Sequence, residues 1–381
     1  MSYINGFTNC NVYVEGKGII KSDLKVVDGK IASFENKEGL QLDEKYIIVP
    51  GFIDRHIHGA NGSDTMYATF NDLTNISKTI AAEGVTGFLP TTMTDDKDRI
   101  IKALNCIKDY INEGILEGAQ VLGAHLEGPF ISMKYKGAQP EEYILPCDVE
   151  TFKVFQDASG DNIREVTFAY EANGSELCKY FKENNICGSL GHTDATVADV
   201  LNAVKDGANS ATHVFNAMKG LHHREAGTVG GVMLSDEIYA ELICDFVHVS
   251  KDAIKVLYKA KGQDKITIVT DALECKHMPE GTYKLAGQDV FVKGKEARLA
   301  SGTLAGSTLY MNDGVRNLKD LLDLSLEKAI DLASINPAKA LGLDKTKGSI
   351  ALGKDADFAI IDKDLNVYMT VVKGKVVYKN I

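Results

Sequence analysis

The sequence predicts an α/β protein: a (β/α)8 barrel of the TIM type with a small β domain formed by both chain ends. Three observations support this fold class. Between about Pro50 and Leu343, short apolar runs alternate with stretches of helical periodicity. Eight such strand-then-helix units favour a closed parallel barrel over an open doubly wound sheet. Both chain ends instead show short β-like runs around turn signals.

The two chain ends share a pattern of paired short strands. Val26 to Ile31 encloses an Asp28-Gly29 turn, and Val371 to Val377 repeats the arrangement near the C-terminus. Because two-stranded hairpins are marginally stable alone, we expect the ends to pair with each other. The predicted division is a β domain of residues 1–49 plus 345–381 and a barrel of residues 50–344.

The barrel strands are predicted from apolar runs that precede polar or glycine-containing turns. They are Phe52–His56, Gly87–Thr91, Val121–Glu127, Glu165–Tyr170, Ile186–Leu190, Ser210–His213, Ala240–Asp245 and Ile266–Asp271. Helical spacing lies between them, as at Val197, Val200, Leu201 and Val204. The stretch from Met278 to Gly302 interrupts the alternation and predicts an inserted hairpin or flap.

Composition and charge exclude several classes of function. The 381 residues are 44% apolar and 25% charged, as in an ordinary globular protein. Lys and Arg number 42 against 53 Asp and Glu, a net charge of −11 without a basic block. This balance argues against nucleic acid or an anionic membrane as the main partner. No run of about 18 apolar residues and no signal-peptide pattern occurs, and seven dispersed cysteines indicate reduced thiols, so we expect a cytoplasmic protein.

Potential metal ligands fall where the predicted strands end. His56 and His58 are two residues apart, so on a strand they face the same side. The others are Glu127, His192, His213 and Asp271, each at or just after a strand end. Because the active sites of such barrels lie at the carboxyl ends of the strands, these side chains are expected to converge. Imidazole and carboxylate suit zinc, iron or manganese.

Each of these residues also has a simpler interpretation when taken alone. A single histidine in a strand is more often a core residue than a ligand. Asp271 could cap a helix, as aspartate often does after a strand. We expect His125 to support the ligands from behind, and His222 and His223 to be solvated. The metal hypothesis therefore depends on the six ligands occurring together.

Longer motifs around these residues resemble the amidohydrolase superfamily. They are Pro50-Gly51-Phe52-Ile53-Asp54 before His56-Ile57-His58-Gly59, then His125-Leu126-Glu127-Gly128-Pro129-Phe130, Gly191-His192-Thr193-Asp194-Ala195-Thr196, Thr212-His213-Val214-Phe215-Asn216-Ala217-Met218, Asp245-Phe246-Val247-His248-Val249, Val269-Thr270-Asp271-Ala272 and Leu304-Ala305-Gly306-Ser307. Within that superfamily the match is closest to enzymes that deacetylate 6-phosphorylated amino sugars. The resemblance spans essentially the whole chain, and it implies that the small domain is a β-sandwich.

The resemblance implies a divalent metal, one or two ions per chain. Glu127, His192 and His213 would hold the principal ion, and His56 and His58 a second one that Glu127 could bridge. Zinc is expected, with iron and manganese as alternatives. The candidate fourth strand has no lysine that could serve as a carboxylated bridge, which favours the Glu-bridged type.

The expected chemistry is amide hydrolysis by water. A bound divalent ion lowers the pKa of water from about 15.7 to about 7. Asp271 is the expected general base and acid, which takes the proton of water and gives it to the leaving amine. Many relatives have histidine in a Gly-Ala-His segment where this sequence has Gly137-Ala138-Gln139. The resemblance therefore assigns substrate contacts to Ala138 and Gln139, with Gln139 as the oxyanion donor.

The implied reaction converts N-acetyl-D-glucosamine 6-phosphate and water into D-glucosamine 6-phosphate and acetate. Four residues are implied at the phosphate: Asn216, Ala217, Arg224 and His248. The segment Leu304-Ala305-Gly306 would run along the sugar. Because relatives complete the phosphate site across a subunit interface, a homodimer is expected. Asn216 could instead cap a helix, and Arg224 could be a surface charge.

Two other functions stay open at this point. Another amidohydrolase, such as a cyclic-amide hydrolase or nucleobase deaminase, would share the metal ligands without the phosphate site. A non-catalytic scaffold would keep the barrel without the metal. The presence of Arg224, His248 and the Asn216-Ala217 pair argues against the first, and the six candidate ligands argue against the second.

Overall fold

The computed structural model describes residues 2–381. Its strands are β1 (Gly6–Val14), β2 (Gly18–Val27), β3 (Lys30–Ser33), β4 (Ile47–Pro50), β5 (Phe52–Ile57), β6 (Gly59–Ala60), β7 (Ser63–Asp64), β8 (Val85–Pro90), β9 (Gln120–Val121), β10 (Ala124–Glu127), β11 (Ile163–Phe168), β12 (Cys187–Leu190), β13 (Ser210–Ala211), β14 (Tyr239–Ile243), β15 (Ile266–Val269), β16 (Gly281–Leu285), β17 (Gln288–Lys293), β18 (Glu296–Leu299), β19 (Leu304–Ser307), β20 (Phe358–Ile361), β21 (Val367–Val372) and β22 (Lys375–Lys379). Its α-helices are α1 (Phe70–Ala81), α2 (Lys97–Asn112), α3 (Val149–Ala158), α4 (Ser175–Glu183), α5 (Val197–Asp206), α6 (Gly227–Leu234), α7 (Lys251–Lys261), α8 (Met311–Leu322), α9 (Leu326–Asp331) and α10 (Ile335–Ala340).

Both chain ends contribute to one seven-stranded sheet, in the order β22-β21-β20-β4-β1-β2-β3. The ends meet where β20 pairs antiparallel with β4, from Phe358 opposite Pro50 to Ile361 opposite Ile47. The predicted hairpin is present between β2 and β3, and its turn residues Asp28 and Gly29 both have positive φ. Positive φ at both central residues is the signature of the tight hairpin turn that Asp-Gly favours.

The middle of the chain forms a curled parallel sheet. Strands β5-β8-β9 form one part and β10-β11-β12-β13-β14-β15 the other. Parallel bridges connect the two parts, from Thr91 to His125 and from Ile57 to Ala272. A strand lies at each of the eight predicted positions, with the third divided into β9 and β10. The carboxyl ends of neighbouring strands therefore lie at a common edge.

Five of the strands, β8, β11, β13, β14 and β15, end one or two residues before their predicted ends, and two of these ends lie at predicted ligands. Strand β13 ends at Ala211 and β15 ends at Val269, whereas the predictions extend to His213 and Asp271. The reason is the backbone: His213 has φ 29° and Asp271 has φ 49°, which no strand can continue. Both side chains therefore project from the loops that follow the strands.

The main apolar core lies between the parallel strands and the helices that connect them. In α1, for example, Leu73, Ile76 and Ile80 recur at helical spacing and are buried against this core. Helix α5 begins with a capping box, in which Thr196 and Asp199 each satisfy a backbone N–H of the other. This packing on rigid elements positions the loops at the carboxyl edge.

The predicted interruption after the last parallel strand is a small antiparallel sheet, β16-β17-β18-β19, here called the flap (residues 281–307). Its base is held by buried Glu83, which accepts hydrogen bonds from Lys276 Nζ and Met311 N, both at 2.7 Å. At its far side Gln288 Nε2 donates to Ala138 O at 2.9 Å. The flap therefore spans from the core to the loop at the carboxyl edge of the strands.

The cysteines agree with the expectation of free thiols: Cys10, Cys106, Cys147, Cys178, Cys187, Cys244 and Cys275 all stand unpaired. Within residues 2–381, no helix is both long and apolar enough to cross a membrane.

Candidate metal centre and active site

The structure brings the six predicted ligands together at the carboxyl edge of the parallel sheet. They form two groups, His56 with His58 and Asp271, and Glu127 with His192 and His213. Within each group the potential ligand atoms all lie within 4.8 Å of one another. Every one of these residues is buried. Five different strand ends supply them, so the convergence follows from the parallel arrangement.

Glu127 lies at the centre of the cluster. Its Oε1 is 3.2 Å from His213 Nε2, 3.3 Å from His192 Nε2 and 3.4 Å from His56 Nε2. Its Oε2 is 3.2 Å from His58 Nε2. Burial raises the pKa of the Glu127 carboxyl, but the surrounding imidazoles outweigh it and hold that pKa well below its usual range. The side chain is therefore a carboxylate able to bridge both groups.

Asp271 completes the group that contains His56 and His58. Its Oδ1 is 3.2 Å from His58 Nε2 and 3.4 Å from His56 Nε2. Burial raises the pKa of the Asp271 carboxyl. The charges of His56 and His58 and the hydrogen bond to His58 outweigh burial, so this pKa lies below its usual value. Asp271 is consequently ionised at neutral pH and able to accept a proton.

Three of the four imidazoles are oriented by acceptors outside the cluster, whereas the buried His213 Nδ1 has no hydrogen-bond partner within residues 2–381. Their Nδ1 atoms contact these oxygens: His56 to Glu241 Oε2 (3.1 Å), His58 to Thr91 O (3.2 Å) and His192 to Tyr135 O (3.0 Å). In the neutral ring, donation from Nδ1–H directs the Nε2 lone pair into the cluster, where a cation can take the place of the Nε2 proton. Among the described residues, the buried His56 Nε2 has no hydrogen-bond partner.

This donor set fits a divalent cation. The Nε2 atoms of His192 and His213 face each other at 3.2 Å, an arrangement that two lone pairs alone would disfavour. A carboxylate and several imidazole nitrogens converging on one point are the ligands that zinc, iron and manganese prefer. The orphaned nitrogen of His56 and the inward lone pairs support the same interpretation.

A layer of buried charge that no sequence pattern predicts lies beneath the cluster. Arg55 Nε donates to Glu165 Oε2 at 2.7 Å and lies 3.3 Å from Glu241 Oε1. All three side chains are fully buried. Burial raises the pKa of Glu165 to about 8, although Arg55 opposes this effect. Glu241 thereby connects Arg55 to His56, and it also accepts from His213 N at 3.2 Å.

The cluster forms the floor of a cavity of about 330 Å³. The other lining residues are the loop Gly137-Ala138-Gln139, the residues Met93, Asn216, Ala217 and His248, and the flap residues Arg298 and Gly302-Thr303-Leu304-Ala305-Gly306. Every predicted substrate contact therefore lines this cavity except Arg224. That residue is exposed, and its Nη1 contacts His223 Nε2 at 2.8 Å outside the cavity.

Gln139 has a second contact that the sequence did not predict. Its Nε2 donates to Glu127 Oε2 at 2.9 Å, and its Oε1 accepts from Thr94 N at 2.8 Å. The side chain is buried, so its amide orientation is set by these two partners. Gln139 therefore orients the central carboxylate, while the second N–H of Nε2 is still available as a donor.

His248 is oriented by an aspartate that lies three residues earlier. Its Nδ1 contacts Asp245 Oδ2 at 2.7 Å, and Asp245 Oδ1 also accepts from the backbone N–H of Val247 and His248 at 2.8 Å. Burial raises the pKa of Asp245, but these hydrogen bonds and His248 hold it below its usual range. The carboxylate thereby fixes the orientation of the His248 ring, which lines the cavity.

The remaining histidines lie outside the cluster. His125 is buried behind the site, with Nε2 2.8 Å from Thr167 Oγ1. His222 and His223 are exposed, as expected. His277 lies 2.9 Å from Glu83 Oε1 and stacks on Tyr310.

The backbone at the site is unusual for its residue types. His192, His213 and Asp271 have φ values of 48°, 29° and 49°, the left-handed region that L-residues seldom adopt. Gly306 has φ +140°, and a Cβ there would lie 2.8 Å from Leu273 Cδ2 and 3.0 Å from Asp271 O. The flap can therefore approach the Asp271 loop only because this residue is glycine.

Comparison with known proteins identifies the class. The amidohydrolase family model matches residues 47–377. The chain belongs to this family of hydrolases, as the motifs predicted. It is 39% identical over 377 residues to the N-acetylglucosamine-6-phosphate deacetylase of Bacillus subtilis strain 168, covering 96% of this chain and 95% of that one.

Two solved structures extend this similarity to the fold. The N-acetylglucosamine-6-phosphate deacetylase of Thermotoga maritima superposes with a TM-score of 0.89 at 35% identity, over 98% of this chain and 99% of the other. A mutant of the Mycobacterium smegmatis enzyme, in complex with N-acetyl-D-glucosamine-6-phosphate, gives 0.91 at 26% identity over 99% and 100%. The predicted resemblance is thus confirmed along the whole chain.

Proposed function

We propose that this chain hydrolyses N-acetyl-D-glucosamine 6-phosphate to D-glucosamine 6-phosphate and acetate, a step of amino-sugar breakdown. One observation carries the proposal: a single cavity joins the carboxylate and imidazole cluster at its floor to Asn216 and His248, the predicted phosphate contacts, in its wall. This separation of the cluster from the wall residues matches a substrate in which the amide to be hydrolysed lies far from a phosphate. The relatives named as deacetylases of this sugar phosphate support the same choice.

We propose a closed (β/α)8 barrel of residues 50–344 for the part that carries the site. The bridges from Thr91 to His125 and from Ile57 to Ala272 support closure. The seven-stranded sheet, to which both chain ends contribute, supports a separate β domain of residues 1–49 plus 345–381, which the resemblance implies is a β-sandwich. The carboxyl edge of the barrel would then carry all of the chemistry, as is general for this architecture.

The proposed metal ligands are those of the two groups in the cluster. Glu127, His192 and His213 would hold the principal ion, and His56 and His58 a second one beside Asp271. Zinc is our first choice and iron or manganese the alternatives, since the set contains no thiolate. A divalent ion supplies, when bound, a positive charge that lowers the pKa of water and polarises an amide carbonyl.

Asp271 is the proposed proton carrier. The water oxygen forms a bond to the acetyl carbonyl carbon while the carboxylate of Asp271 accepts a proton from water. As the C–N bond breaks, Asp271 returns this proton to the amine nitrogen, and acetate and the amino sugar leave. Gln139 would donate its second N–H to the developing oxyanion, since its position against Glu127 is fixed.

The phosphate would bind at the opposite wall of the cavity. His248, held by Asp245, offers a charge-assisted hydrogen bond, and Asn216 and the backbone N–H of Ala217 add neutral donors. The segment Leu304-Ala305-Gly306 would contact the sugar between the two ends. Arg224 lies outside its own cavity, which supports a homodimer in which each subunit supplies Arg224 to its partner.

The proposed function is tested by acetate release from two substrates with purified protein of known metal content. N-acetylglucosamine 6-phosphate should be hydrolysed with a kcat/KM at least about a hundredfold above that for unphosphorylated N-acetylglucosamine, because the phosphate contacts are charge-assisted. Equal rates on both sugars would refute a phosphate site. Hydrolysis of a cyclic amide instead would favour the broader amidohydrolase alternative.

Arg224→Ala should lower the preference for the phosphorylated sugar. A lost charge-assisted hydrogen bond reduces kcat/KM for the 6-phosphate about tenfold to a hundredfold, while the unphosphorylated sugar never forms that contact. The ratio of the two kcat/KM values measures the effect. Arg99→Ala, an exposed arginine of α2 paired with Asp95, is the control and should leave the ratio unchanged. Equal losses on both sugars would assign Arg224 to structure instead.

A further inference from the structure

The cavity contains one basic residue that the motifs do not assign. Among the described residues that line it, Arg298 is the single arginine or lysine. It belongs to β18 of the flap, far in sequence from Asn216 and His248. Glu127 and Asp271 contribute negative charge to the same cavity, so a dianionic substrate needs positive charge from elsewhere on its wall.

Hydrogen bonds within the flap orient the side chain of Arg298. Its Nε donates to Glu296 Oε2 at 2.8 Å and its Nη1 to Gly302 O at 2.7 Å, both within the flap. Three of the five guanidinium N–H groups, including both on Nη2, are not used by these two bonds. The side chain is 41% exposed, so a ligand can reach it. The guanidinium is therefore oriented in advance and still able to donate.

A break in the strand pairing coincides with this residue. Where β18 pairs with β19, the register shifts between Ala297 and Arg298. The extra residue is Ala305 of β19, because Ala297 lies opposite Gly306 and Arg298 opposite Leu304. A bulge bends the strand that carries it and is frequent beside active sites. The bulge is thus in the segment of β19 that lines the cavity together with Arg298.

We propose that Arg298 is a specificity residue that binds the substrate phosphate from the same chain. This inference rests on the proposed function and deepens it: the phosphate would be held by His248 and Asn216 of the wall, by Arg298 of the flap and by Arg224 of the partner. The planar fork of a guanidinium can bind two phosphate oxygens at once. Phosphate binding would then also draw the flap onto the substrate.

The test is steady-state kinetics of Arg298→Ala with both sugars. The ratio of kcat/KM between the phosphorylated and unphosphorylated sugar should fall about tenfold to a hundredfold, with most of the change in KM. Arg298→Lys should recover part of the ratio because it keeps the charge and loses the fork. Lys284→Ala is the matched control: it removes an exposed flap charge, paired with Asp289, that does not line the cavity.

Two results would overturn the proposal. An unchanged ratio would make Arg298 a surface charge paired with Glu296, and equal losses on both sugars would make it a support for the flap. Wild-type preference for the phosphorylated sugar is measured first. If that preference exists and Arg298→Ala keeps it, the proposal on Arg298 fails while the proposed function stands.

Mixed oligomers separate the two arginines. An Arg224→Ala chain combined with an Asp271→Asn chain should recover activity, because the second chain supplies Arg224 to the intact site of the first. An Arg298→Ala chain combined with the same Asp271→Asn chain should not recover, since Arg298 serves its own site. Recovery of the second mixture would refute the same-chain assignment.

Discussion

Asp271→Asn is expected to reduce turnover by on the order of a thousandfold or more while the fold is retained. The amide is nearly isosteric with the carboxylate but cannot accept the proton of water. Asparagine also tolerates the left-handed backbone at this position, where φ is 49°. Acetate release and metal content, measured on the same preparation, check the prediction.

Asp252→Asn provides the control for this change. Asp252 is exposed in the first turn of α7, so the same change of charge there should leave turnover at the wild-type level. Activity of Asp271→Asn within about tenfold of wild type would remove Asp271 from the role of general base and acid.

Glu127→Ala should deplete the protein of metal and, with it, of activity. The two oxygens of Glu127 lie 3.2–3.4 Å from imidazole nitrogens of both groups, so the loss of this side chain affects both. Without this carboxylate each group loses an anionic ligand, and affinity should fall by more than about a hundredfold. Elemental analysis of dialysed protein measures the loss, and a circular dichroism spectrum tests whether the fold persists.

Substitution of His56 and His58 tests how many metal ions each chain binds. His56→Asn together with His58→Asn should reduce the content from about two ions per chain to about one, because Glu127, His192 and His213 are untouched. A metal content of the Glu127→Ala protein equal to that of the wild type would show that the metal binds elsewhere in the protein.

The convergence of the cluster could be predicted from sequence because it depends on strand order alone. His56, His58 and Glu127 lie at strand ends, and parallel strands bring those ends to one edge regardless of their separation in the chain. The flap after the last parallel strand is also predicted, because this stretch interrupts the alternation of strands and helices. The hairpin turn is predicted from the preference of the Asp28-Gly29 pair for tight turns.

Pairings that depend on side-chain direction could not be predicted. Arg55 meets Glu165 110 residues later, and no periodicity indicates which buried charges will face each other. Gln139 was assigned by its place in a motif, but its contact with Glu127 depends on the conformation of a loop. The place of Arg298 in the flap predicts an exposed side chain, and its position at the cavity depends on how the flap folds over the strand ends.

The left-handed backbone at His192, His213 and Asp271 lowers the stability of the fold at three positions whose side chains are needed for activity. Such a conformation costs a residue other than glycine about 1 to 3 kcal/mol. Glycine at these positions would relieve the cost and remove a functional side chain at the same time. A selection for thermal stability alone would therefore enrich inactive variants at these three positions, whereas bound metal would favour the native residues. Engineering of a more heat-resistant form should leave these loops unchanged and seek its gains in the helices.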